Sequence, residues 1–206
     1  MNFDRVAPHY LWLETLAFGD KLQEARTAFV RHVETPRRVL IVGEGNGRFL
    51  SEFVRWHPAA EVDCIEASGR MIELARAGFE AKQVHFIRAL VSEVELDQIH
   101  YDLVVTHFVL DCFDEETLPP LLAKLAQAAT ADASWLIADF CVPPRGWRRL
   151  GGRWLISLMY LFFRLVAGLE TKRLVDYRPL LRANGFALKA SKSSPNDIVR
   201  SEWWRR

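Results

Sequence analysis

The sequence predicts an α/β protein: a doubly wound, mostly parallel seven-stranded sheet, preceded by a helical segment and closed by an antiparallel C-terminal hairpin. Three observations carry this expectation. Short apolar runs without polar alternation recur between Val39 and Asp139 and alternate with stretches of helical periodicity, as a parallel sheet covered on both faces requires. A glycine-rich turn, "VGEGNG", joins the first strand to the first helix that follows it, the corner at which open α/β sheets bind ligands. Finally, "ALKASKS" and "DIVRSEWWRR" alternate on either side of "SSPN" as two strands of a hairpin.

Residues 1–34 read as helix. In "YLWLETLAFGDKLQEARTAFVRHV", Leu11, Leu13, Leu16, Leu22, Ala25, Phe29 and Val33 recur at spacings near three and four, and Gly19 and Asp20 mark a break between two helices. After Pro36, strands are expected at Val39–Val42, Val62–Glu66, Val84–Ile87, Tyr101–Thr106 and Trp135–Asp139, with helices at Phe49–Trp56, Met71–Phe79 and Leu118–Ala129. Right-handed crossovers connect such parallel strands. Arg145 to Gly168 is a basic start followed by a very apolar helix, and "VDYRPLLRANGF" is a short helix ending at Gly185. The apolar stretch Trp154–Gly168 is interrupted by Arg164 and falls short of the roughly 20 residues that span a hydrocarbon core. It is not read as transmembrane.

A chain of 206 residues, half of them hydrophobic, buries a sizeable core and is most economically one domain. That domain is residues 1–206, made of a helical segment 1–35, a ligand-binding core 36–143 and a C-terminal helix with closing strands, 144–206. Lys plus Arg number 27 against 26 for Asp plus Glu, a formal net charge of +1, so no global field attracts nucleic acid and none is expected as a partner. Cys64, Cys112 and Cys141 form no close pair, which suits reduced thiols in a cytoplasmic protein. The N-terminus "MNFDRVAPHY" carries acid, base and proline where a secretory signal carries an apolar run.

The glycines of "VLIVGEGNGRFL" form G-x-G-x-G over Gly43, Gly45 and Gly47. A dinucleotide fingerprint, G-x-G-x-x-G/A, would need a small residue where Arg48 stands. A nucleotide-dependent oxidoreductase is disfavoured accordingly. Glu66 ends the next strand, where a carboxylate about 20 residues beyond the loop can accept both hydroxyls of an adenosine ribose. Joined to "YDLVV" and "WLIAD" in the fourth and fifth strands, this pattern resembles the class I S-adenosylmethionine-dependent methyltransferases over Val39 to Asp139. Their first motif is typically V-L-D-x-G-x-G-x-G. The resemblance implies a Rossmann-like fold with S-adenosyl-L-methionine as cofactor. It places the methionine part over Gly43, Glu44, Gly45, Asn46 and Gly47, the ribose on Glu66, and Ala67, Met71, Ala89, Leu90, Thr106 and His107 around the remainder. Two positions depart from the family: Ile41 replaces its usual acid while Glu44 brings a carboxylate into the loop, and Leu90 stands where an adenine-binding Asp is common. Glu44 then either anchors the cofactor's ammonium group or is a solvated loop charge.

"NFDRVAPHYLWLETLAFG" resembles the start of the quinone-biosynthesis C-methyltransferases, although Leu11 replaces their Asp. The resemblance implies a lid over the cofactor, with Phe3 and Tyr10 as its contacts; packing of a plain N-terminal helix is the other reading. On the acceptor side, the carboxyl ends of the strands carry His107, Asp111, Cys112, Asp139 and Cys141. His107 and Asp111 follow the fourth strand and are the candidate bases. The alternatives are a buried neutral His107, an Asp111 that caps the following helix and cysteines that pack the core. Asp139, with no second clustered carboxylate or His in the sequence, argues against a metal site. The apolar helix after the fifth strand suggests a small apolar or amphipathic acceptor. With Arg145, Arg148, Arg149 and Arg153 ahead of it, peripheral membrane contact through 145–168 is one expectation and a buried helix with a solvated arginine face the other. A non-catalytic cofactor-binding or membrane-surface protein is the rival from another class.

Overall fold

A computed structural model describes residues 20–78, 82–96, 100–141, 175–195 and 197–206. The lid expected around Phe3 and Tyr10 and the apolar helix expected at 145–168 lie outside these residues. Helices α1 (Lys21–Thr27), α2 (Arg48–Trp56), α3 (Gly69–Gly78), α4 (Leu118–Gln127) and α5 (Arg178–Ala183) accompany seven strands. The strands are β1 (Arg38–Val42), β2 (Glu61–Glu66), β3 (Val84–Arg88), β4 (Tyr101–His107), β5 (Ala129–Phe140), β6 (Ala187–Ser193) and β7 (Val199–Arg205). They form one sheet in the order β3-β2-β1-β4-β5-β7-β6, parallel except at β7, which runs antiparallel to both of its neighbours. The predicted α/β sheet and its antiparallel closing hairpin are therefore present.

The sequence explains the layering. β1 and β4 are central, and their runs "VLIV" and "LVVTH" are buried on both faces. One face of the sheet packs Leu40, Val104, Trp135, Ile137 and Trp204 against Leu121, Leu122 and Leu125 of α4. The other packs Ile41, Val62, Val105 and Leu136 against Phe49, Leu50 and Phe53 of α2. In β7 the adjacent indoles of Trp203 and Trp204 serve opposite faces, as the two-residue period of a strand dictates. β6 is an exposed edge, and Lys189 and Lys192 on it protect against edge-to-edge pairing.

Most boundaries shift by a residue or two from the sequence expectation, and three of the differences have a local cause. α1 ends at Thr27, where the Thr27 hydroxyl bonds back to the Gln23 carbonyl. Beyond it the chain tightens into turns with Val30 N–H on Thr27 O and His32 N–H on Phe29 O. α4 stops at Gln127 because Ala129 already pairs with Tyr101, and a register shift before Leu103↔Ser134 absorbs the additional residues of a long β5. β7 begins at Val199, since Asp197 takes φ 55 in the hairpin loop.

Candidate active site

The strand order reverses between β1 and β4, and in an open α/β sheet the crevice at the carboxyl ends of those strands is the ligand site. There the β1 loop turns through three left-handed glycines, Gly43 at φ 68, Gly45 at φ 70 and Gly47 at φ 84. The three have different causes. A methyl group on Gly43 would collide with Val109 Cγ2, and one on Gly47 would lie 2.8 Å from the Ala75 Cα in α3. Protein packing accounts for both. A methyl group on Gly45 would meet nothing within 4 Å, so of the three only Gly45 opens onto free space.

β2 holds this loop in place. The Gly43 N–H donates to the Ile65 carbonyl at 2.8 Å, and the Gly45 N–H donates to Glu66 Oε2 at 3.0 Å. Glu66 Oε1 accepts the Ser68 N–H at 2.9 Å, and Ser68 Oγ accepts the Met71 N–H at 3.1 Å in the first turn of α3. Glu66 is buried, and each of its oxygens accepts a backbone N–H. Ala67 beyond it is exposed, Met71 is buried, Asn46 and Ala89 are half-buried, and Leu90 presents an exposed apolar side chain after β3. Thr106 is turned into the core, where its hydroxyl accepts the Trp135 indole N–H at 2.9 Å.

Glu44 is not a solvated loop charge. Its Oε1 accepts the Leu50 N–H at 2.7 Å and so satisfies a free donor in the first turn of α2. Burial pushes its carboxyl from 4.5 up to about 8, opposed by the bond from Leu50 and by the Arg26 guanidinium. Arg26, Glu44, Gly45, His107 and Phe108 line one cavity. Arg26 comes from α1, is buried, and its guanidinium lies 5.0 Å from the centre of the Phe108 ring. Phe108 takes φ 57, a conformation rare for an aromatic residue. Its ring is 5.0 Å from that of Phe140, and its N–H donates to the Ala138 carbonyl at 2.7 Å.

His107 is buried edge-on to Phe49, ring centres 4.5 Å apart. Burial, aided by Arg26, holds its imidazole well below the usual range, so the ring is neutral and weakly basic. Asp111 lies in a single 3-10 turn, Leu110–Cys112, and Oδ1 accepts the Cys112 thiol at 3.6 Å. It does not cap the following helix, since α4 begins only at Leu118. Its charge is, after burial, the next cause that pushes the Asp139 carboxyl well above the usual carboxylate range. The expectation that Asp139 lacks a neighbouring carboxylate is thereby corrected, because β4 and β5 bring the two together from distant parts of the sequence. Among the described residues no three His, Cys, Asp or Glu side chains could hold a metal ion.

The chain from the glycine loop to the head of β5 can be compared with known proteins on this basis. Residues 39–132 match the family model described as a methyltransferase domain. No curated protein matches the sequence. Among solved structures, the mitomycin 7-O-methyltransferase MmcR is 19% identical with a TM-score of 0.70, over 100% of this chain and 61% of that one. The plantazolicin methyltransferase BpumL, solved with a monoazolic desmethylPZN analogue and SAH, is 17% identical with a TM-score of 0.67, over 98% and 88%. An S-adenosylmethionine-dependent methyltransferase from Mesorhizobium loti is 18% identical with a TM-score of 0.66, over 90% and 100%. The chain thus has the fold of these enzymes and spans 61% of the length of MmcR.

At the head of the sheet and its flanking helix, Arg26 is the site residue the sequence reading passed over. The signal was present: Leu22, Arg26, Phe29 and Val33 share a helical face, and a lone arginine on an apolar face points into the protein.

Proposed function

We propose that the chain transfers the methyl group of S-adenosylmethionine to a small, apolar or amphipathic acceptor. The observation that carries this reading is the pairing of Gly45, which opens onto free space, with the buried Glu66 that accepts its N–H. The residues fit the cofactor in chemistry. Glu66 accepts the ribose hydroxyls through the carboxylate that also holds the Gly45 and Ser68 N–H groups. Glu44 and Arg26, of opposite charge type on one cavity wall, suit the ammonium and carboxylate of the methionine end. Leu90 and Ala89 flank the adenine, Asn46, Ala67 and Met71 complete the wall, and Tyr10 belongs to the N-terminal lid. Thr106 contributes by packing.

When bound, the cofactor supplies an electrophilic methyl group on a sulfonium. What remains for the protein is to align the acceptor and exclude water. His107 and Asp111, at the end of β4, stand on the acceptor side; a neutral, weakly basic His107 serves as a hydrogen-bonding wall, which leaves proton acceptance to Asp111. In this reading one domain spans 1–206, with 36–143 as the cofactor core and 144–206 as the acceptor side.

Calorimetric titration with S-adenosylmethionine, S-adenosylhomocysteine and NADH tests the assignment: the first two bind and NADH does not. Glu66→Gln preserves volume but removes the charge and one acceptor, and is expected to weaken S-adenosylhomocysteine binding by about 1–3 kcal/mol, roughly 5- to 150-fold. An unchanged affinity removes Glu66 from the ribose site.

A further inference from the structure

The turn after β4 is strained at one residue. Among the described residues only Phe108 and Asp197 combine a side chain with a positive φ, 57 and 55. Asp197 lies in the hairpin loop, and aspartate tolerates the left-handed region; a bulky aromatic residue does so at a cost. Three contacts hold Phe108 there. Its N–H donates to the Ala138 carbonyl at 2.7 Å, its ring lies 5.0 Å from that of Phe140 at an interplanar angle of 52°, and the next side chain, Val109, packs where a Gly43 side chain would stand. Backbone strain persists only where the surroundings over-determine it, and it concentrates at ligand clamps.

This conformation keeps the ring in charged company. Phe108 lines one cavity with Arg26, Glu44, Gly45 and His107, and the Arg26 guanidinium stands over the ring, 5.0 Å from its centre. Phe108 also packs against the small cluster of Leu22, Phe140 and Val199, but that packing asks only for apolar bulk. A π face that carries a cation, in a cavity that also holds a carboxyl group, meets a different requirement. The ring quadrupole attracts a positive charge within about 6 Å of its centre, most strongly where water is excluded.

We propose that Phe108 is a specificity-determining residue whose ring receives the positively charged centre of the ligand, so that the site prefers a sulfonium to the corresponding neutral thioether. This rests on the methyl-transfer reading above and deepens it. Gly43, Glu44 and Gly45 border the same cavity as the ring, so a ligand lying on the glycine loop brings its charged centre beside Phe108. In the transfer the acceptor's lone pair forms the new bond to the methyl carbon, the electrons of the broken carbon–sulfur bond stay on sulfur, and the positive charge passes to the acceptor. The ring then loses its attraction for the sulfur. Because that attraction is strongest before transfer, Phe108 acts on the exchange of product for donor and not on the barrier.

Calorimetry on the full chain at pH 7 tests this with two ligands: sinefungin, which carries an ammonium group where the donor has its methylsulfonium, and S-adenosylhomocysteine, the neutral thioether. The parent is expected to bind sinefungin more tightly. Phe108→Leu is expected to lower the ratio of the two affinities by about 2- to 30-fold, and Phe108→Tyr to keep it. Pentafluorophenylalanine placed at 108 alone retains the outline of the ring while reversing its quadrupole; it is expected to lower the ratio as Phe108→Leu does, and it decides the matter where the leucine variant fails to fold. A ratio that neither replacement changes overturns the proposal, as does a parent that binds sinefungin no more tightly than S-adenosylhomocysteine. A parent that binds neither ligand overturns the cofactor reading itself, and the assignment of Phe108 falls with it.

Discussion

Gly47→Ala is expected to destabilise the folded protein by about 2–5 kcal/mol, whereas Gly45→Ala costs only about 1–2 kcal/mol and instead removes most of the cofactor affinity. Both residues are left-handed, at φ 84 and φ 70, so both variants carry the ordinary penalty of about 1–2 kcal/mol for a side chain in that region. Only Gly47 adds a collision, with its new methyl 2.8 Å from the backbone Cα and 2.9 Å from the Cβ of Ala75. These are atoms of α3 that cannot swing aside, and overpacking of this kind costs about 1–3 kcal/mol more. At Gly45 the methyl enters free space, the space assigned to the ligand. Urea denaturation of the two variants, with S-adenosylhomocysteine titrated onto each, separates the roles. Equal stability loss would show that α3 yields at Gly47; parental binding by Gly45→Ala would show that the ligand does not approach that backbone.

The same contrast marks the limit of what the sequence discloses. Strands such as β1 and β4 are legible because burial on both faces forces an unbroken apolar run, and the hairpin because β7 alternates visibly. The glycine loop and Glu66 are legible because their spacing along the chain is itself the chemistry. Contacts between distant segments are not. That Gly43 answers to Val109 and Gly47 to Ala75 depends on how α3 and the β4 turn pack, and no local pattern records it. That the charge of Asp111 reaches Asp139 depends in the same way on β4 and β5 lying side by side. Arg26 drew no assignment although Leu22, Phe29 and Val33 share its helical face, because its place over Phe108 emerges only once α1 packs on the sheet.

Glu44 makes a pH dependence that can be read with and without ligand. Its carboxyl is pushed by burial from 4.5 to about 8 in the folded chain, with the Leu50 N–H and Arg26 working against the shift and Glu66 adding to it. Between those values the unfolded chain has released the proton that the folded chain still holds, so the unfolded state binds fewer protons. Stability of the ligand-free protein therefore falls as pH rises through this window, by at most about 1.4 kcal/mol per pH unit from this group, and levels off above about 8. His107, whose imidazole is held low, acts in the opposite sense but only below its ordinary value near 6.5. Asp139 shifts in the same direction as Glu44. The difference between the parent and Glu44→Gln isolates the Glu44 contribution, and the window from pH 6.5 to 8.5 avoids His107. Melting temperatures across that window are expected to fall more steeply for the parent than for Glu44→Gln. An ammonium group placed beside Glu44 favours its charged form, so binding of S-adenosylhomocysteine at pH 7 releases protons, and at pH 9.5 the release from Glu44 vanishes. Calorimetry in phosphate and in Tris, whose ionisation enthalpies differ, counts those protons. Parallel melting profiles for parent and variant would mean that Glu44 is already ionised in its cap on α2, and binding without proton release at pH 7 would place the cofactor's ammonium group elsewhere.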